Sequence, residues 1–168
     1  MKKTFLFNVL FLVAIVVGNA QKIGHMNSGN LLAQMPEVAK ADTALNFYQK
    51  ELLIKGDTLA KVFENQYKVF VEAYNAGTLS AIQTQKRQEE LKQQQQYLQA
   101  YAQKVEQDVA TLRRTLLQPI MGKLEDAIRA VAKENGYSVI FDTSTGSTLY
   151  AAEGDDITPL VKKKLNLN

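Results

Sequence analysis

The chain has 168 residues, 46% hydrophobic and 22% charged, with one histidine and no cysteine or tryptophan, a size and make-up suited to one globular or elongated unit. The absent cysteines exclude disulfides, thiol nucleophiles, iron–sulfur clusters and cysteine-ligated zinc, and His25 alone builds neither a histidine zinc site nor a Ser-His-Asp triad. The formal net charge is +3, too small to indicate nucleic acid as a partner.

Residues 1–20 have the pattern of an export signal: Lys2 and Lys3, then an apolar run over 5–17 broken only by Asn8, then Gly18-Asn19-Ala20. Cleavage after Ala20 leaves residues 21–168 and removes two lysines, so that 18 basic residues face 17 acidic ones, a net charge of +1. A bilayer span needs about 20 apolar residues, more than this run supplies.

Residues 22–27 and 137–142 are expected to be short strands, the second bounded by Gly136 and the Thr143-Ser144-Thr145-Gly146 turn cluster. A third strand over 147–152 is expected to complete a hairpin with it. Residues 28–35 suit a short helix or turn. Pro36 fits the first turn of a long helix, where its missing N–H costs little. That helix has no further proline, and it ends at Asn75-Ala76-Gly77-Thr78, with Gly77 suited to the left-handed position and Thr78 or Ser80 to capping the next helix. A final helix is expected from near Asp156 to about Leu165, with Thr158 as cap, Pro159 at its first position and Lys162-Lys163-Lys164 complementing its dipole.

The two long helices carry matching heptad seams. On the first, Val38, Ala41, Leu45, Tyr48, Leu52, Lys55, Leu59, Val62, Gln66, Val69 and Ala73 alternate in steps of three and four. On the second the seam runs through Leu116, Leu112, Val109, Val105, Ala102, Leu98, Gln95, Leu91, Gln88, Thr84 and Ala81, weakening toward the tip. A turn centred near Ala76-Gly77 pairs positions whose numbers sum to about 154, giving an antiparallel coiled-coil arm of roughly 55–60 Å that should protrude. Past Leu116 the steps become four and four through Ile120 and Leu124, a stutter containing Pro119 and Gly122. A bend is expected there, with Ile120, Leu124, Ile128 and Val131 packing on a separate body. The expected division is therefore a body of 21–36 and 118–168 and an arm of 37–117. Three short strands are a poor core for so long an arm, which argues for oligomerisation.

These segments carry a family resemblance. The opening Lys22-Ile23-Gly24-His25-Met26-Asn27-Ser28 through Leu31-Leu32-Ala33-Gln34-Met35-Pro36-Glu37 and the closing Glu134-Asn135-Gly136-Tyr137-Ser138-Val139-Ile140-Phe141-Asp142, Leu149-Tyr150-Ala151-Ala152 and Asp155-Asp156-Ile157-Thr158-Pro159-Leu160-Val161 flank a heptad hairpin behind a signal. Over essentially the whole mature length the chain resembles the periplasmic Skp/OmpH chaperones. The resemblance implies an α+β, predominantly helical fold in which a long antiparallel hairpin projects from a small β body. It also implies a jellyfish-like homotrimer and an ATP-independent holdase that keeps unfolded outer-membrane β-barrel proteins from aggregating before membrane assembly. The expected trimer-body residues are Ile23, Met26, Val139, Ile140, Phe141, Leu149 and Tyr150. Well-known members are strongly basic, whereas residues 40–134 here hold 14 basic and 12 acidic side chains. Electrostatic steering should be weaker, the membrane surface is at most a transient contact, and no lipopolysaccharide-binding residues carry over.

Beside the seam, Phe63, Tyr67, Phe70 and Tyr74 recur at steps of four, three and four, and Tyr97 with Tyr101 forms a shorter pair on the second helix. Two readings stand side by side: the aromatics line a client cavity with many weak contacts, or they widen the seam over the thin Gln88–Gln95 region. The glutamines at 83, 85, 88, 93–96, 99 and 103 suggest an arm that flexes near its tip, although a solvated helix face explains them equally. Glu89-Glu90 and Glu125-Asp126 are sequence neighbours that do not face each other on a helix, so no catalytic residues, metal site or cofactor are expected. The alternative function is a non-catalytic coiled-coil adaptor of the cell envelope.

Overall fold

A computed structural model describes residues 21–167; the predicted export segment lies outside the described residues. The elements in order are β1 (Lys22–Met26), α1 (Ser28–Ala33), α2 (Pro36–Asn75), α3 (Ala81–Asn135), β2 (Tyr137–Asp142), two single 3₁₀ turns at Thr143–Thr145 and Glu153–Asp155, and α4 (Thr158–Lys164). The fold is predominantly helical, with two long helices and one small strand pair. The described chain separates into two compact units, one of 21–35 with 121–167 and one of Pro36–Ile120.

In the strand-containing unit β1 and β2 pair in parallel, with Ile23 beside Val139, Gly24 beside Ile140 and His25 beside Phe141. The expected third strand is absent. Residues 147–152 are irregular, and the chain returns to β1 only at a single bridge between His25 and Asp156. Local chemistry explains the difference: Asp142 accepts the Ser144 amide at 2.9 Å and hydroxyl at 2.8 Å, winding the chain into a 3₁₀ turn closed by Gly146 at φ 72°. The segment is then held by backbone contacts to β1, with Ile157 N–H donating to the His25 carbonyl at 2.9 Å and His25 Nε2 2.9 Å from the Ala152 carbonyl. Gly24 permits this approach, since a Cβ there would lie 2.9 Å from Ile157 Cγ2 and 3.0 Å from the Tyr137 ring.

The core of this unit is formed by Met26, Leu31, Met35, Leu124, Ala127, Val131, Ile157, Val161 and Leu165, all buried. Ile128, expected among them, is half-buried, and Ala127 takes the inner position. The capping of α4 also differs from expectation: Asp156, not Thr158, supplies the side-chain oxygen, accepting the Thr158 amide at 2.8 Å. Thr158 is itself the first helical residue.

The second unit is the expected antiparallel hairpin. Gly77 adopts φ 67°, the Thr78 amide returns to the Ala73 carbonyl, and Ser80 with Gln83 forms a reciprocal capping box at 2.9 and 3.3 Å. Ser80 is thus the cap of α3. The α3 helix runs without interruption through Pro119. The seam follows the expected positions at Leu45, Tyr48, Leu52 and Leu59, then shifts: Gly56, Phe63 and Phe70 are half-buried, whereas Lys55, Val62 and Val69 are exposed. On α3 Gln94 and Tyr101 take the inner places expected of Gln95 and Ala102. Phe63 and Phe70 offer more apolar area than the valines one position earlier, so rotating the seam toward them hides more surface. Gly56 makes room for the exchange, because its Cβ position lies 3.2 Å from the Tyr101 ring.

Candidate functional site

Within the hairpin the aromatics divide by depth. Phe63 stacks on Tyr67 at 6.2 Å between centroids, and Phe70 meets Tyr74 at 5.9 Å with the rings tilted. The phenylalanines contribute to the seam, while Tyr67 and Tyr74 remain 53% and 56% exposed. Phe63 and Phe70 thus widen the seam, as one of the two sequence readings expects, and Tyr67 and Tyr74 keep exposed faces.

The tyrosine pair on α3 divides in the same way. Tyr97 is exposed and meets Tyr101 at 6.4 Å between centroids with the rings tilted. Tyr101 is part-buried and donates its hydroxyl to the Leu52 carbonyl at 2.9 Å. Its ring wedges against Gly56, so it holds the two helices together rather than offering a surface.

Phe63, Tyr67 and Phe70 line one open groove of about 540 Å³ with Gln88, Leu91, Lys92 and Gln95. The groove belongs to a longer pattern. On α2 Leu53, Gly56, Ala60, Phe63, Tyr67, Phe70 and Tyr74 follow one another in steps of three and four, and on α3 Gln85, Gln88, Lys92, Gln95, Gln99 and Ala102 do the same. Of these, Gln88, Lys92 and Gln95 face Phe63, Tyr67 and Phe70 across the groove, whereas Gln85 lines a separate shallow surface with Ile82, Lys86, Glu89, Glu90 and Gln93. The groove thus has aromatic rings from α2 on one wall and Gln88, Lys92 and Gln95 from α3 on the other. The sequence placed Gln88 and Gln95 in the seam and offered a solvated helix face as the other reading of the glutamines; both residues are exposed.

In the strand-containing unit, the seven expected assembly residues fall into two groups. Ile23, Val139 and Phe141 are exposed on one face of the sheet, and Leu149 and Tyr150 stand out at 99% and 86% exposure. Met26 is fully buried and Ile140 half-buried on the opposite face, so these two serve the chain's own core. A parallel sheet normally has both faces covered. Here one face is bare in the single chain and the outer edge of β2 has no strand partner among the described residues.

The strongest polar constellation is Asp142, which accepts from the Ser28 amide at 3.1 Å, the Ser28 hydroxyl at 2.5 Å and both Ser144 donors. Burial works to raise its pKa, but the Ser28 hydroxyl, the Ser144 and Ser28 amides and the Ser144 hydroxyl together outweigh burial and hold it at about 2. A carboxylate that weakly basic is poorly matched to deprotonating a serine, and its acceptor sites are occupied in tying β1 and α1 to the end of β2. Among the described residues no cluster of His, Asp and Glu is placed to hold a metal ion, and no helix is long and apolar enough to cross a membrane.

Comparison with known proteins agrees with this architecture. The model of the family described as "Outer membrane protein (OmpH-like)" matches residues 22–165, both units and nearly all of the described chain. This chain belongs to the OmpH-like family. Among OmpH-like relatives, it is 26% identical over 157 residues to the protein named chaperone protein Skp of Yersinia enterocolitica, covering 93% of each chain. It is 25% identical over 147 residues to the protein of that name from Pectobacterium atrosepticum, covering 87% of this chain and 86% of the relative. An OmpH-like protein of Caulobacter crescentus CB15, known from its crystal structure, superposes with a TM-score of 0.73 at 16% identity, over 87% of this chain and 84% of the other. That likeness establishes the fold.

Proposed function

We propose that this protein is an ATP-independent, non-enzymatic holdase of the periplasm, exported by cleavage after Ala20, that binds unfolded outer-membrane β-barrel proteins through its hairpin and prevents their aggregation. The observation that carries the reading is the open aromatic groove of Phe63, Tyr67 and Phe70 on a two-helix arm. Such a surface offers shallow, repeated apolar contact without a closed pocket, which suits chains of varied sequence. The similarity to proteins named chaperone protein Skp supports the same function. We further propose a homotrimer assembled through Ile23, Val139, Phe141, Leu149 and Tyr150, whose exposure leaves an apolar face that a second and third copy would cover.

The test is light scattering after diluting a urea-unfolded outer-membrane β-barrel protein into buffer containing the mature chain and no nucleotide. Suppression saturating near three chains per client is expected. No suppression at several-fold excess would point instead to an envelope adaptor, which binds a folded partner and leaves aggregation unchanged. Replacing Tyr67 and Tyr74 by Ala should weaken suppression with helicity unchanged, because both rings are half in solvent; lost helicity would show that they hold the arm together.

A further inference from the structure

Between the two 3₁₀ turns of the strand-containing unit, the irregular segment presents an apolar knob. Thr148 and Ala151 are half-buried, while Leu149 and Tyr150 between them are 99% and 86% exposed. No other large apolar residue described in this unit is more than 53% exposed. The knob is held at both ends: Asp142 and the Gly146 turn fix the chain before it, and the contacts of His25 with Ala152 and Ile157 fix it after. Two large apolar side chains are thus presented to solvent at a set position, with their burial unrealised in the single chain.

The same unit carries a recess. Leu32, Met121, Leu124, Ile128 and Ile140 wall a depression of about 270 Å³ that Glu125 also lines, and neither Leu149 nor Tyr150 of the same chain fills it. Ligand sites usually measure about 300–1,000 Å³, so this one is small for an organic ligand and suits individual side chains. Its apolar walls match a leucine and a tyrosine ring, and the Glu125 carboxylate is an acceptor for the tyrosine hydroxyl. Symmetry links the two features. In a twofold pair a patch meets itself, whereas in a ring of three each contact joins different patches on neighbouring copies. A knob repeated on every copy of such a ring needs a recess of matching chemistry on the next copy, and the depression supplies it. The bare sheet face is built instead of half-exposed side chains, Ile23, Val139 and Phe141.

We propose that Leu149 and Tyr150 of one copy seat in the depression beside Met121 and Glu125 of the next, a knob-and-recess contact repeated around the ring. This rests on the homotrimer of the proposed function and names the surfaces that join its copies. The contact is heterologous and closes only when the last copy meets the first, so it favours a ring over a pair.

The test exploits the absence of cysteine from the chain. Leu149→Cys is introduced in one preparation of the full mature chain, and Met121→Cys, Glu125→Cys or Asp126→Cys in another. All four positions are exposed, and Asp126, on the opposite side of the helix, does not line the depression. Each pair is unfolded and refolded together and then oxidised, so that a disulfide, which needs Cα atoms within about 7 Å, joins only separate chains. Leu149→Cys should cross-link to Met121→Cys or Glu125→Cys several-fold more than to Asp126→Cys or to itself. In sedimentation, Tyr150→Ala should raise the concentration at which trimers form by about tenfold or more, the loss expected of a buried interface tyrosine. Cross-linking of Leu149→Cys chiefly to itself or equally to Asp126→Cys, or Tyr150→Ala trimers as stable as the unaltered ones, would overturn the seating while leaving the trimer standing. An unaltered chain that sediments as a monomer at every concentration would overturn the trimer reading itself, and the seating with it.

Discussion

The two units keep their shape in different ways. In the strand-containing unit Met26, Leu31, Met35, Ile157 and Val161 are almost completely hidden from solvent, and a cross-chain hydrogen-bond cluster at Asp142 ties the opening segment to the closing one. In the hairpin only Ala41 and Ile120 are buried, and every other seam residue retains contact with water. Two helices alone cannot enclose a side chain, so the hairpin relies on a long series of partial burials and on helix formation itself. One unit is thus a small closed core, and the other is a surface from end to end. A unit with few buried contacts opens locally at low cost.

Substitutions can break this comparison. The largest effect is expected from Val161→Ala, which empties a fully buried position and should destabilise the closed unit by about 2–3 kcal/mol. Leu59→Ala in the hairpin seam, half-buried, should cost no more than about half of that. Urea denaturation of the two variants measures both, and equal losses would contradict the contrast.

A smaller effect sharpens it. Gln94 sits in the seam with its Oε1 shielded and unpaired, and Gln94→Leu should stabilise the arm by about 1 kcal/mol by replacing an uncompensated polar atom with apolar contact. Hydrogen exchange of amides near the tip should slow by about fivefold in that variant, with the closed unit unaffected.

The smallest effect concerns pH. Because the folded Asp142 pKa is lowered from 3.8 to about 2, its stabilisation is present above about pH 4 and disappears as pH falls through about 2. Asp142→Asn should therefore be destabilised relative to the unaltered chain by ~1 kcal/mol at pH 7, a modest figure because solvent reaches the carboxylate. That difference should close between about pH 4 and pH 2. Thermal unfolding across this range measures it, and a gap that persists at pH 2 would assign the role to packing rather than charge.

Much of the site was visible before any coordinates. The stripe Phe63, Tyr67, Phe70, Tyr74 is a run of large rings at helical spacing, and the antiparallel register follows from one turn signal and a count of residues. Which rings face outward was not visible. Phe63 and Phe70 lie one position from Val62 and Val69, and two adjacent rows compete for the seam on nearly equal hydrophobic terms. The choice depends on Gly56 admitting Tyr101, a contact between residues 45 apart in the chain. The expected strand over 147–152 failed for a related reason. Asp142 turns the chain just before it by accepting from Ser144, and the same carboxylate is held in place by Ser28 of the opening segment, more than a hundred residues away.

By itself the sequence determined the family, the helical hairpin with its tip and register, and the pairing of the chain's two ends, because heptad spacing, capping residues and turn glycines act over short range. Only the tertiary structure decided which of two neighbouring rows closes the seam, which strand residues are spent on the chain's own core, and that Gln88 and Gln95 line the groove beside Phe63, Tyr67 and Phe70. These depend on what each side chain meets across space, and spacing along a single helix carries no record of the other helix's choice.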